Sequence, residues 1–149
     1  MNVAKHPFLE MTRKMIAGEL PPPPVGDLIG MRLLEVTAGR AVFAMDASRR
    51  HANPMGTLHG GVLCDLADAA MGVAWASELV EGETFTTLEL KINFLKPIWE
   101  ATLRAEAAVM RRGRVVGLVE CDVRDEGGSL VAHVTSTCMT LRGEKAAGR

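Results

Sequence analysis

Asp65 and Asp68 lie four and seven residues beyond a His59-Gly60-Gly61 step, at the mouth of the longest helix-like run in the chain. A carboxylate held in place by a helix can serve as a general base or a nucleophile. A helix entered through two glycines presents bare backbone N–H groups and the positive end of its dipole, which suit a carbonyl oxygen or an anion. Together these parts describe attack on a polarised carbonyl. The plain alternative is that both aspartates are solvated residues on an outer helix face. Against it, aspartate is a poor helix former in the interior of a helix. His59 is either a capping residue that fixes the loop or a general acid for a departing group. Asn53 can fix the turn through its side-chain carbonyl or aim its amide at an oxyanion, and its surroundings in sequence do not choose between these.

The element that must position these groups runs from Asn53 to Ser77, first as a turn rich in Gly and Pro and then as a helix ending near Leu79. At about 100° per residue, Val62, Leu63, Leu66, Ala67, Ala70, Val73 and Ala74 fall on one apolar stripe. Cys64, Asp65, Asp68, Gly72 and Trp75 collect on the opposite face. Asp68 is roughly 10 Å from Gly61 along the axis at 1.5 Å per residue. A reacting carbonyl must stand about 3 Å from its donor and about 3–3.5 Å from its attacker. One helix does not easily supply both, so a shared site predicts a symmetric dimer with two composite sites.

Around this helix the pattern is mostly strand. Residues His6 to Leu20 have amphipathic spacing and are followed by the Pro21 to Pro24 run, a stiff extended connector. Met31 to Val36 and Arg40 to Ala47 read as a hairpin. Thr84 to Leu95 alternates, with Thr86, Leu88, Leu90, Ile92 and Phe94 on one face and Thr87, Glu89, Lys91 and Asn93 on the other. Ala101 to Met110, Val115 to Val123 and Leu130 to Leu141 complete the set. The expected architecture is α+β: a strongly bent antiparallel sheet around one long helix, with a short N-terminal accessory helix. The expected division is 1–27 for the accessory helix and connector, 28–141 for the domain, and 142–149 for a frayed tail.

The totals narrow the function classes. The chain has 149 residues, enough for one core. Its formal net charge is −1, and the arginines are scattered apart from Arg111-Arg112-Gly113-Arg114, which argues against nucleic acid. Cys64, Cys121 and Cys138 stand at no metal-ligand spacing and read as packing thiols in a reducing compartment. No metal and no cofactor is expected, since His6, His51, His59 and His133 form no ligand cluster. There is no membrane-length apolar run and no signal-peptide core, so the expected location is cytoplasmic.

With Asn53, Gly56, His59-Gly60-Gly61 and Asp68 in one stretch, followed by the strand Thr87 to Pro97, the chain resembles the hotdog-fold acyl-CoA thioesterases. It is most similar to the 4-hydroxybenzoyl-CoA thioesterase superfamily, in the branch of the phenylacetate-pathway enzymes. The resemblance spans Leu28 to Leu141. It implies an acyl-CoA substrate, a curled sheet around a central helix, and protomers paired as dimers and often assembled into tetramers. It also implies that Asp68, and not Asp65, attacks the thioester or activates water. The Gly60 N–H, with Gly61 beside it, would polarise the carbonyl, Asn53 and His59 would position the loop, and Thr87 would orient water. Thr86 is the alternative for that last role, although alternation puts it on the core face. Glu89 and Phe94 are further expected substrate contacts, and the turn Arg111, Arg112, Gly113, Arg114 and Val115 would meet the nucleotide end of coenzyme A. A pocket of small and flexible apolar residues, including Met55 and Met71, is expected for the acyl group. A hydratase or a non-catalytic acyl-CoA binder on the same scaffold are the competing functions.

Overall fold

The structure is a computed structural model and describes residues 5–148. Helix α1 (Pro7–Ile16) is shorter than its amphipathic window because the chain leaves helical geometry at Gly18, where φ is +76°. Leu9 and Thr12, three residues apart, form its buried face. A second helix, α2 (Pro24–Ile29), follows where only an extended connector was expected. Pro24 starts it, since proline's preset φ and missing N–H suit the first helical position. Gly30 ends it in the left-handed conformation at φ +86°.

Strands β1 (Met31–Thr37) and β2 (Arg40–Ala47) form the expected hairpin. The central helix α3 (Gly60–Ala76) follows, and then β3 (Glu83–Phe94), β4 (Ala101–Arg112), β5 (Val116–Asp125) and β6 (Leu130–Arg142). Helix α3 stops before Leu79. The Ser77 hydroxyl donates to the Ala74 carbonyl at 2.8 Å and accepts the Gly39 N–H of the hairpin turn at 2.9 Å. After β6 the chain makes a 3-10 turn at Gly143–Ala146, set against β3 and β6.

The six strands make one antiparallel sheet in the order β1-β2-β4-β5-β6-β3, which leaves β1 and β3 as its edges. The sheet curls so far that α3 touches every strand. Alanines make this close approach possible: Ala67, Ala70 and Ala74 are fully buried among Leu66, Met45, Leu103, Val119 and Val134.

Two face assignments are corrected by this curvature. Gly72 and Trp75 were expected on the polar face of α3, yet both are buried. Gly72 packs against the Phe85 ring, and Trp75 lies beneath Arg112 and Gly117, because the sheet covers the second half of the helix on both flanks. Strand β3 is also not a simple alternation. Its pairing with β6 slips between Thr87 and Glu89, leaving Leu88 as an extra residue in a β-bulge. Ahead of the bulge Phe85 and Thr87 face α3, and beyond it Leu90 and Ile92 pack on the core. Thr86 and Leu88 are therefore not core-facing. Leu88 is 51% exposed, and the Thr86 hydroxyl reaches only the neighbouring Thr87 carbonyl, at 3.5 Å.

Candidate active site

Asp68 and Thr87 meet across the gap between α3 and β3. The Thr87 hydroxyl donates to Asp68 Oδ1 at 3.1 Å, an alignment that exists because the bulge turns Thr87 toward the helix. The Asp68 carboxyl is raised above the ordinary carboxylate range, chiefly by its burial in the crevice, against the lowering effect of the Thr87 bond and with a further rise from Asp65. One flank remains open to solvent. A carboxylate that is partly desolvated, held by one hydroxyl and still reachable is suited to taking a proton from water or attacking directly. Cys64, one turn away, is a poor rival nucleophile. Burial and the two nearby aspartates raise its thiol, so it stays protonated.

Asp68 and Thr87 form a wall between two spaces. On one side is a partly open cavity of about 620 Å³ lined by α1, α2, β1, β2, the middle of α3 and the start of β3. On the other is a cleft of about 290 Å³ bounded by Cys64, Asp65, Leu88 and Glu89. A linear substrate with its reactive carbon at Asp68 would extend one arm into each.

The start of α3 is built as a cradle. His59 is its N-cap, with Nδ1 accepting the Gly61 N–H at 2.9 Å. That bond occupies Gly61 and places the proton of a neutral His59 on Nε2. Among the described residues the Gly60 N–H has no partner, so it is the free donor of the pair. The Phe94 ring lies over it: a β-carbon at Gly60 would stand 2.8 Å from Phe94 Cζ. Asn53 is spent on the turn. Its Oδ1 accepts from the N–H groups of Met55 (3.0 Å) and Thr57 (3.2 Å), and its Nδ2 donates to Thr57 Oγ1 at 2.8 Å. Gly60 and Asp68 are eight residues apart on one helix, roughly 12 Å along the axis. The Gly60 N–H and the Asp68 carboxylate of one chain therefore do not meet.

The other expected binding residues divide. The Glu89 carboxylate accepts from the Thr137 N–H and hydroxyl at 2.9 and 2.8 Å at the rim of the smaller cleft. Arg111 and Arg114 are exposed at the β4–β5 turn with Val115. Arg112 is not free for a ligand. Its guanidinium stacks 4.2 Å above the Trp75 ring and donates to the Trp75 carbonyl at 2.9 Å and to Glu78 at 3.2 Å, closing the C-terminal end of α3. Gly113 makes the bend, with its N–H donating to the Val116 carbonyl at 3.0 Å. Among the described residues no group of three or more His, Cys, Asp or Glu side chains is arranged to hold a metal ion. No helix there is long and apolar enough to cross a membrane.

A model of the thioesterase superfamily matches residues 55–132, more than half of the chain and the whole of α3 and β3. The chain belongs to that superfamily. Its fold is the hotdog fold, and it is a thioester hydrolase by family. A solved phenylacetic acid degradation-related protein from Ralstonia eutropha JMP134 is 33% identical with a TM-score of 0.77, covering 85% of this chain and 97% of that one. The E. coli protein from the phenylacetic acid degradation operon, at 23% identity, shares the fold with a TM-score of 0.80 over 95% of this chain and 98% of its own. A 1,4-dihydroxy-2-naphthoyl-CoA hydrolase of Listeria monocytogenes is 28% identical over 105 residues, 70% of this chain and 85% of that protein.

Sequence reasoning passed over the residues that enclose the larger cavity. Met71 is fully buried in the core and Met55 is 78% exposed. The methionines that do line the space are Met11, Met15 and Met31, with Phe8 and Phe43. The amphipathic spacing of α1 marked an apolar face, but a space left beneath that face has no signature in sequence. His51 was also missed. It is buried, with Nδ1 accepting the Ser48 N–H at 3.1 Å and Nε2 2.9 Å from the Ile29 carbonyl, so it ties the loop before α3 to α2.

Proposed function

We propose that this protein hydrolyses an acyl-CoA to the free acid and coenzyme A, with Asp68 as the attacking carboxylate or the base for water. The observation that carries the reading is the Asp68–Thr87 pair, a raised carboxyl held at 3.1 Å by one hydroxyl between two open spaces. In the base mechanism, Thr87 and Asp68 hold a water against the thioester carbon. The Gly60 N–H of a second copy receives the charge that develops on the carbonyl oxygen, and the thiolate of coenzyme A departs. If Asp68 attacks directly, an anhydride forms and water then cleaves it. The hydrolase activity named for the Listeria relative, which acts on an aryl-acyl-CoA, agrees with either route.

The composite site rests on the edge position of β3. That strand has one unpaired side and carries two exposed apolar side chains, Leu88 at 51% and Phe94 at 56%. Such an edge invites pairing with another chain. A second copy added there would lay its α3 start near this chain's Asp68. Arg111 and Arg114 remain available for the phosphates of coenzyme A.

The test is thiol release from acetyl-, decanoyl- and phenylacetyl-CoA by the wild-type protein and by Asp68→Asn. The expected loss is about 10²–10⁴-fold, the usual contribution of a positioned general base. The same variant carries a stability signature. A carboxyl whose folded value is raised contributes stability that is present below the ordinary aspartate range and lost as pH rises through the raised value. At neutral pH, Asp68→Asn should therefore melt above wild type while losing activity. Equal thiol release from the two proteins would end this reading. Loss of enoyl-CoA absorbance without thiol release would favour the hydratase.

A further inference from the structure

Resting on the thioesterase reading above, we propose that the acyl group enters the cavity beneath α1 and that Met11 and Met15 set its length. The preferred substrates are then uncharged apolar acyl groups larger than a single ring. Three observations lead there. First, the cavity reaches Asp68 and Thr87, so an acyl chain whose carbonyl carbon lies at Asp68 runs into it without crossing the core. Second, its volume of about 620 Å³ is some four times the roughly 150 Å³ that holds a benzene molecule in a protein interior. Phenylacetyl would leave much of it empty, whereas a medium-length aliphatic chain or a fused two-ring aryl group would fill it. Third, little in the lining can pair with a polar tail. The Thr12 hydroxyl is spent on the Phe8 and Leu9 carbonyls, at 3.0 and 2.9 Å. Arg32, about half exposed, turns one guanidinium nitrogen to Asp46 at 3.0 Å. The remaining charges, Asp27 and Asp68, are both acidic and would repel an acyl group ending in a carboxylate.

The roof is docked in a way that frees the two methionines. Leu9 and Thr12 bury against the body of the protein, and His6 Nδ1 lies 3.2 Å from the Leu79 carbonyl at the far end of α3. Phe8, Met11 and Met15 then face the cavity at helical spacing. Methionine is flexible and polarizable, so the roof can mould itself to more than one apolar shape. Gly72 lets the Phe85 ring lie close against the floor, because a β-carbon there would meet Phe85 Cζ at 3.2 Å.

The experiment compares kcat/KM for decanoyl-CoA, 2-naphthoyl-CoA and acetyl-CoA in wild type, Met11→Trp and Met15→Trp. Each indole should lower the ratio of decanoyl to acetyl turnover by about tenfold or more, the discrimination a single methylene can command in an apolar pocket. An unmoved ratio in proteins that still melt cooperatively overturns the proposal while leaving the thioesterase reading intact. If the Trp variants do not fold, Met15→Ala decides: a deeper cavity must move the optimum to longer chains, and an unchanged profile overturns the proposal. If wild type cleaves no acyl-CoA, the thioesterase reading fails separately, and calorimetric titration with the uncharged decan-1-ol settles the cavity. Binding to wild type that Met11→Trp abolishes supports an apolar ligand site there. No binding overturns it.

Discussion

Thr87→Val is the sharpest test of the role proposed for Asp68 and Thr87. Valine keeps the branched shape that suits the strand and removes only the hydroxyl that donates to Asp68 Oδ1 at 3.1 Å. A hydrogen bond to an ionised group is worth about 1.5–3 kcal/mol, and the open flank of Asp68 argues for the lower end. At about 1.5 kcal/mol the loss in kcat/KM is roughly tenfold, far milder than removal of the carboxylate itself. The pH dependence is more diagnostic than the size. The Thr87 bond lowers the Asp68 carboxyl against burial and Asp65, so its removal must move that carboxyl further up. The acid limb of kcat/KM should shift to higher pH, and the variant should lose more melting temperature at neutral pH than in acid. Thiol release followed across the pH range, with melting curves in the same buffers, reads both effects. An acid limb that stays in place or moves to lower pH would refute the assigned role of Thr87.

Three further outcomes separate structural residues from those proposed to meet the ligand. Arg112→Met should cost about 1–3 kcal/mol, measured by urea unfolding, because Glu78 and the Trp75 carbonyl lose their shared donor and the indole its cation. The double change Arg111→Ala with Arg114→Ala should leave stability nearly unchanged and raise KM for acyl-CoA severalfold, an effect that shrinks as salt is added. Gly117→Ala should destabilise by about 3 kcal/mol or more, or prevent folding, since its β-carbon would stand 2.2 Å from the Arg111 carbonyl oxygen and 2.6 Å from Trp75 Cζ3. A cooperative melt close to that of wild type would show that the backbone there can yield.

The central helix and every strand were legible because their apolar spacing is strong, and the glycine step before Asp68 was legible because both its composition and its position are unusual. Three features were not, each for a physical reason. Trp75 and Gly72 fall on the polar side of a helical wheel, but a wheel assumes that one side of a helix is dry, and a sheet that curls around α3 dries both. Helix α2 hides in the proline run because the same residue that stops one helix can start the next. The bulge in β3 did leave a trace. Phe85 sits at an odd position while Leu90 and Ile92 sit at even ones, so no single alternation packs all three on the core. Treating Phe85 as part of the core pattern would have demanded a phase change between Thr87 and Leu90.

That phase change links the chemistry to the expected assembly. An unbulged β3 that turned Thr87 toward Asp68 would also turn Glu89, Lys91 and Asn93 into the core, whereas one that buried Leu90 and Ile92 would turn Thr87 away. The extra residue satisfies both demands. It does so by expelling Leu88 to the free edge of the sheet, in the same strand that carries the half-exposed Phe94 ring over Gly60. An apolar side chain on an unpaired edge is a liability for a single chain. On the proposed reading a second copy covers that edge and delivers the Gly60 N–H that this chain holds too far from its own Asp68. On that reading, the bulge that aims the hydroxyl at the carboxylate also marks the strand along which the second half of the site would arrive.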